Sequence, residues 1–216
     1  MGPTYCETPL GLFVFPAEPI NTLSNLVIIG FGLIALYLVY RRAPRAADLW
    51  AVALFLTGTG IGSLLWHGFR TSTFLTLDFT PGILCLLALI LAWARRLFDS
   101  WLYAVLWVVG FFALVSGGSS IVGYFVDFRF FFAGPLIATL AIGGYFMVLS
   151  YRKWGRVTTF ALLGMATALL ALFFRTLDPL VCSYIPFGTH FLWHILLSGG
   201  SFLCILFLLK INEIQK

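Results

Sequence analysis

His190-Phe191-Leu192-Trp193-His194 sets two imidazoles four residues apart, a spacing that a helix stacks on one face and that suits two ligands of one metal ion. The sequence holds three histidines, and the third, His67, must be brought in by the fold. Ser63 precedes His67 by four residues and shares its helical face, while Asp78 lies just beyond the next turn. Three neutral nitrogen ligands with an open fourth position describe a catalytic zinc site, whereas structural zinc usually has four protein ligands, often thiolates. The open position would hold water, whose pKa zinc lowers toward ~7, supplying hydroxide at neutral pH and polarising a carbonyl oxygen. Asp78 would accept or orient the water's proton and pass one to a leaving amine. Ser63 would donate a hydrogen bond to the developing oxyanion. Taken singly, each residue has a plainer role: a lone histidine near a membrane surface is more often an interfacial hydrogen-bonding group, and serine commonly bonds back to its own helix.

The elements that must position these residues follow from composition. Of 216 residues, 61% are hydrophobic and 10% charged, and the mean hydropathy is +1.02, which excludes a soluble globular protein. A membrane-spanning helix takes roughly 20 apolar residues, so the chain has room for about seven. Apolar runs between charged or Gly/Pro-rich breaks place the spans near 19–40, 48–69, 74–94, 100–118, 130–151, 156–175 and 187–210. The boundary between the fourth and fifth is blurred by Ser116-Gly117-Gly118-Ser119-Ser120 and by the stretch to Phe132 that carries Asp127 and Arg129. The expectation is an all-α polytopic membrane protein, a seven-helix bundle forming one domain over residues 1–216.

Orientation follows from Lys and Arg in short loops, which stay cytoplasmic. One side collects Arg41, Arg42, Arg45, Arg95, Arg96, Arg152, Lys153, Arg156, Lys210 and Lys216, and the other has Arg70, Arg129 and Arg175. The N-terminus is therefore expected outside or in a lumen and the C-terminus in the cytoplasm. The first apolar run acts as its own insertion signal, since Met1 to Pro19 lacks the basic start of a cleavable signal peptide. The net charge of +5 then reflects topology and contact with anionic lipid, with no nucleic-acid partner.

In this topology Ser63 and His67 fall in the last two turns of an outward-running span. Asp78 falls near the start of the next, and His190 and His194 lie about 5 and 10 Å below the outer boundary. Five polar groups at one depth are unlikely to be accidents, because an ionisable group in hydrocarbon costs several kcal/mol and usually faces a polar interior or a ligand. That depth is where the linkage between polar head and acyl chain of a bilayer lipid resides. The substrate is therefore expected to be an acyl-amide or acyl-ester lipid. Most of the 23 phenylalanines pack helices or face lipid. Cys6 and Cys182 both fall on the outer side, where they could pair or remain free thiols; Cys85 and Cys204 sit mid-span as packing residues.

Glu18-Pro19-Ile20-Asn21-Thr22-Leu23-Ser24-Asn25, Gly62-Ser63-Leu64-Leu65-Trp66-His67, Leu77-Asp78 and His190-Phe191-Leu192-Trp193-His194 occur in that order. Together they resemble the alkaline ceramidases, a branch of a superfamily of seven-helix membrane hydrolases that includes the adiponectin and progestin receptors and a GPI-lipid remodelling group. The Ser-x-x-x-His, Asp and His-x-x-x-His skeleton belongs to the whole superfamily; the Glu-x-x-Asn-Thr-x-Ser-Asn start of the first span points to the ceramidases. The resemblance implies zinc held by His67, His190 and His194, a zinc-bound water contacting Asp78 with Ser63 beside it, and hydrolysis of the ceramide amide to a sphingoid base and a fatty acid. It also implies a lumenal disulfide between Cys6 and Cys182. It further implies an N-terminal calcium site, for which Glu7 and Glu18 match in type and spacing. Thr4, Tyr5 and Pro9 stand where an Asp, a Trp and an Asn would be expected, and hard calcium wants six or more oxygen ligands.

The function expected is a zinc-dependent amidohydrolase of ceramide or a ceramide-like lipid. The short loops suggest a bacterial or otherwise minimal member, located in the plasma membrane if bacterial and in the endoplasmic reticulum or Golgi if eukaryotic. Three rival readings use the same residues. A receptor of the adiponectin or progestin type would hold a structural zinc and place its N-terminus in the cytoplasm. A hydrolase of another acyl lipid would use the same chemistry. A transporter with a proton relay would bind no metal.

Overall fold

The computed structural model describes residues 2–8, 15–125 and 133–215. Among them every regular element is helical: α1 (Pro19–Arg42), α2 (Ala47–Phe69), α3 (Ser72–Phe98), α4 (Trp101–Phe125), α5 (Ala133–Trp154), a 3-10 turn (Gly155–Thr158), α6 (Thr159–Val181) and α7 (His190–Ile214). Pro9, Asp127, Arg129 and Lys216, used above for the calcium comparison and the charge argument, lie outside the described residues, as does the start of the fifth expected span. Five helical stretches are long and apolar enough to cross a membrane: Pro19–Arg42, Ala47–Phe69, Ser72–Phe98, Leu136–Val181 and His190–Ile214. The 46-residue stretch takes in most of α5, the 3-10 turn and α6, and Trp101–Gly117 in α4 is apolar but shorter. The described residues are thus all-helical, with the spans of a multi-pass membrane protein.

Boundaries depart from hydropathy where side chains let a helix run on. α3 continues to Phe98 through Arg95 and Arg96, two cations in its last turn, where positive charge suits the helix C-terminus. α4 passes through the Ser/Gly-rich break to Phe125, and Ser120 Oγ bonds back to Ser116 O at 2.9 Å, so the helix absorbs a hydroxyl that would otherwise lack a partner. α6 extends to Val181 and so includes Asp178 and Pro179. α7 opens at His190 itself, three residues later than hydropathy suggests, which sets His190 in the first turn.

The chain forms two compact units, Met1–Ala88 with Phe160–Lys216, and Leu89–Thr159. In the first, α1 packs on α2 and α7, and α2 also touches α7. Their shared interior is divided along its length. Beside Ile28 and Trp66, the N-terminal halves of α1 and α7 and the C-terminal half of α2 bury a set of polar residues: Asn21, Thr22, Ser24, Asn25, His190, His194, Ser198, Ser63 and His67. The opposite halves bury Ala35, Val39, Leu49, Val52, Leu56, Ile205 and Leu208. With α1 packed on both partners and α2 running antiparallel to α1 and α7, the three polar halves meet at one end. Outer faces carry exposed apolar residues such as Leu23, Leu33 and Leu54, as lipid-facing helices do. At the other end of α1, Arg42 Nε and Nη2 meet both carboxylate oxygens of Glu213, at 2.6 and 2.9 Å.

In the second unit α4 packs on α5. The Trp93 indole N–H donates to Ser150 Oγ at 2.8 Å. Lys153 Nζ donates to the carbonyls of Arg96 and Leu97, both at 3.0 Å, satisfying carbonyls that the end of α3 leaves without helical partners.

Candidate metal centre

Two close approaches of backbone set the site. A Cβ on Gly62 would collide with the backbone of Leu77, so α2 and α3 touch there, which brings the neighbouring residues Ser63 and Asp78 together. At the start of α7 the N-cap residue Thr189 makes no side-chain cap. The carboxylate of Asp178, buried in α6, caps the helix instead: its Oδ1 accepts the N–H groups of Thr189 at 2.7 Å and His190 at 2.9 Å. This is the favoured place for negative charge, against unsatisfied donors at a helix N-terminus. Gly188 makes room for it, with φ of +65° and no space for a Cβ beside the Asp178 carboxylate.

His67, His190 and His194 converge as the spacing and the resemblance lead one to expect. Each is buried, their ring centroids lie 4.6 to 5.2 Å apart, and one ring nitrogen of each falls within 4.8 Å of the others. Hydrogen bonds set which nitrogens are available. His67 Nδ1 is bound to Glu18 Oε2, and a carboxylate there accepts a hydrogen bond from Nδ1–H, leaving the lone pair on Nε2. That Nε2 is buried with no partner, and so is Nδ1 of His190. His194 Nδ1 lies 2.7 Å from Ser24 Oγ. Buried polar atoms without partners are rare in native proteins. Two of them among three convergent neutral donors are what a metal site looks like when its ligands face one another. The donor set, all imidazole with no thiolate, suits zinc with an open coordination position.

The N-terminal segment packs over this cluster. Tyr5 stacks on His190 at 3.8 Å and lies 5.2 Å from His67, and burial pushes its phenol up to about 12, so it stays neutral. Cys6 and Cys182 form a disulfide, and the Cys6 N–H donates to Asp178 Oδ2 at 3.1 Å. Asp178 therefore ties the N-terminal segment and the first turn of α7 to α6. Arg70, the C-cap of α2 with φ of 55°, reaches back to Pro3 O at 2.6 Å, lies 3.2 Å from Glu18 Oε1 and stacks over Trp66 at 4.0 Å.

The glutamates expected in a calcium site have other partners here. Glu7 accepts the N–H of Ile20 at 2.7 Å and of Asn21 at 3.0 Å, one on each carboxylate oxygen, and so caps α1 from the N-terminal segment. Glu18 is fully buried and is shared among His67, the Thr8 hydroxyl, Asn21 Nδ2 and Arg70. Burial raises both carboxyls above the usual range; N–H donors of Asn21 and Ile20 oppose this for Glu7, and the Thr8 hydroxyl and Arg70 oppose it for Glu18. Thr4 is exposed.

Sequence reasoning missed three parts of the site. Asp178 was passed over because hydropathy ended the sixth span at residue 175; an acid next to an apolar run was the available signal. Ser24 enters the sequence expectation only within the motif that starts the first span, and Glu18 enters it as a calcium ligand rather than as a partner of His67. Glu18, Asn21, Thr22 and Asn25 follow an i, i+3, i+4, i+7 pattern, all four buried. A polar stripe at the start of an apolar helix can be read from sequence as one face turned to a polar interior.

The sequence model of the family described as Ceramidase matches residues 3–216. Among curated proteins none matches the chain.

Proposed function

The chain belongs to the ceramidase family, and from that premise we propose that it is a zinc-dependent membrane amidohydrolase. It cleaves the N-acyl amide of ceramide, or of a ceramide-like lipid, to a sphingoid base and a free fatty acid. The observation that carries the reading is the set of three buried imidazoles with nitrogens within 4.8 Å of one another, with Ser63 one helical turn before His67 on the same helix. His67, His190 and His194 would hold the ion. Zinc bound there would supply a Lewis acid that polarises the amide carbonyl and makes a water nucleophilic at neutral pH.

The remaining work falls to the chain's own groups. As the water oxygen bonds to the amide carbon, the Asp78 carboxylate takes the proton released. When the C–N bond breaks, Asp78 returns that proton to the leaving nitrogen, so the products are an amine and a carboxylic acid. The Ser63 hydroxyl turns its proton to the developing oxyanion. Tyr5 and the N-terminal segment limit water access, which strengthens these interactions.

The seven-span topology with the N-terminus outside is part of the same proposal. What supports it is that α1, α3 and α5 each end in a basic pair, Arg41 and Arg42, Arg95 and Arg96, Arg152 and Lys153, the charge that favours the cytoplasmic side. The disulfide and the histidines lie at the opposite ends of their helices, facing an oxidising compartment. Calcium binding by Glu7 and Glu18 is a separate proposal that rests on the resemblance alone; isothermal titration of the purified protein with calcium tests it, and the absence of a binding isotherm rejects it.

Purified protein given a mixture of membrane lipids should release a sphingoid base and a fatty acid, detected by mass spectrometry, and a zinc chelator should stop the release. Release from an ester lipid only would move the assignment to another acyl-lipid hydrolase. Turnover unaffected by chelation in a protein free of zinc would overturn it.

A further inference from the structure

Ser24, in the motif Asn21-Thr22-Leu23-Ser24, has no role in the chemistry above. Ser24 is buried in the second turn of α1, 170 residues from its partner in sequence, and its Oγ makes two contacts of 2.7 Å, one to Asn21 O and one to His194 Nδ1. A hydroxyl has one proton. A carbonyl oxygen can only accept, so the Ser24 proton goes to Asn21 O, and Oγ must accept from His194. The Nδ1 of His194 therefore carries a proton and its Nε2 carries the lone pair.

We propose that Ser24 is a positioning residue that holds His194 in the Nδ1–H tautomer and turns its Nε2 lone pair toward His67 and His190. This inference rests on the zinc reading of the three histidines. It extends that reading to α1, which supplies no metal ligand. It assigns to α1 what a carboxylate or carbonyl supplies at many metal-bound histidines, an acceptor on the far ring nitrogen that fixes ring orientation and raises ligand basicity. Glu18, the N-cap of α1, does the same for His67, so the start of α1 aligns two of the three ligands from positions six residues apart.

The three histidines of the chain all belong to the cluster, so selective 15N labelling of histidine gives an imidazole spectrum of the site alone. In metal-free wild-type protein at a pH where the rings are neutral, the His194 spectrum should show a protonated Nδ1 and an unprotonated Nε2. In Ser24→Ala the His194 Nδ1 signal should shift while His67 and His190 keep theirs, and zinc affinity, measured by chelator competition, should weaken by about 10- to 100-fold. Ser24→Thr keeps the hydroxyl and should restore both. A wild-type His194 protonated on Nε2 overturns the proposal without any variant. So does a Ser24→Ala protein with zinc affinity within about twofold of wild type. Failure of the wild type to hydrolyse ceramide would sink the proposed activity and leave these readouts untouched.

Discussion

Asp178 is the residue whose loss should unsettle both the fold and the site, although it touches no ligand. Its carboxylate accepts three backbone N–H groups, from Thr189, His190 and Cys6, at 2.7, 2.9 and 3.1 Å. Hydrogen bonds to a charged partner contribute about 1.5–3 kcal/mol each, and removing the acceptor leaves buried donors unpaired. The three share one carboxylate that is costly to bury, so they do not add in full, and Asp178→Ala should cost roughly 3–5 kcal/mol. Asp178→Asn keeps the shape and one carbonyl oxygen for Thr189 and His190 but turns an amide N–H toward the Cys6 N–H; it should lose one bond, roughly 1–2 kcal/mol. For a chain of this size each kcal/mol moves the melting temperature by about 2–4 °C. Thermal unfolding in detergent should rank wild type above Asn and Asn above Ala, with Ala roughly 10 °C below wild type. Zinc affinity should fall in the same order, because the first turn of α7 carries His190. A Tm for Asp178→Ala within about 2 °C of wild type, with zinc binding unchanged, would refute the idea that one carboxylate organises this end of the bundle.

Other outcomes follow from the same geometry. Alanine at His67, His190 or His194 should each reduce bound zinc, measured by elemental analysis, to near background, since two remaining imidazoles leave the ion without a full donor set. Asp78→Asn should keep its zinc and lose kcat by about 10²- to 10⁴-fold, the range for a missing proton-transfer group; retention of half the wild-type rate would remove Asp78 from the mechanism. Reducing or deleting the Cys6–Cys182 bond, which spans 176 residues of chain, should destabilise by about 2–5 kcal/mol, seen as a lower Tm in Cys6→Ser than in wild type under non-reducing conditions. Glu18→Gln should weaken zinc affinity by about 10- to 100-fold through His67, measured by chelator competition.

Much of the fold was legible because hydropathy and helical spacing are local properties. A run of apolar residues with few charges is a helix in a bilayer regardless of its neighbours, and α1 and α2 match expectation to within two residues. Expectation was weakest where a side chain contact extends a helix, as Ser120 does for α4, and where polar residues inside a span are held by partners far away, as Asp178 is in α6. The His190 and His194 pair was legible for the same local reason, four residues on one helical face.

The sequence by itself determined the solvent of this protein, its helical elements and the types and spacing of the residues that could bind a metal. Tertiary structure alone decided that His67 meets the pair on α7, that Glu18 takes the far nitrogen of His67 across 49 residues and Ser24 that of His194 across 170, and that Asp178 ties the N-terminal segment to α7. Those contacts join positions whose separation carries no periodicity. They exist because α1, α2 and α7 bury polar halves at a common end, where each buried donor and acceptor must find its partner among side chains rather than in water or lipid.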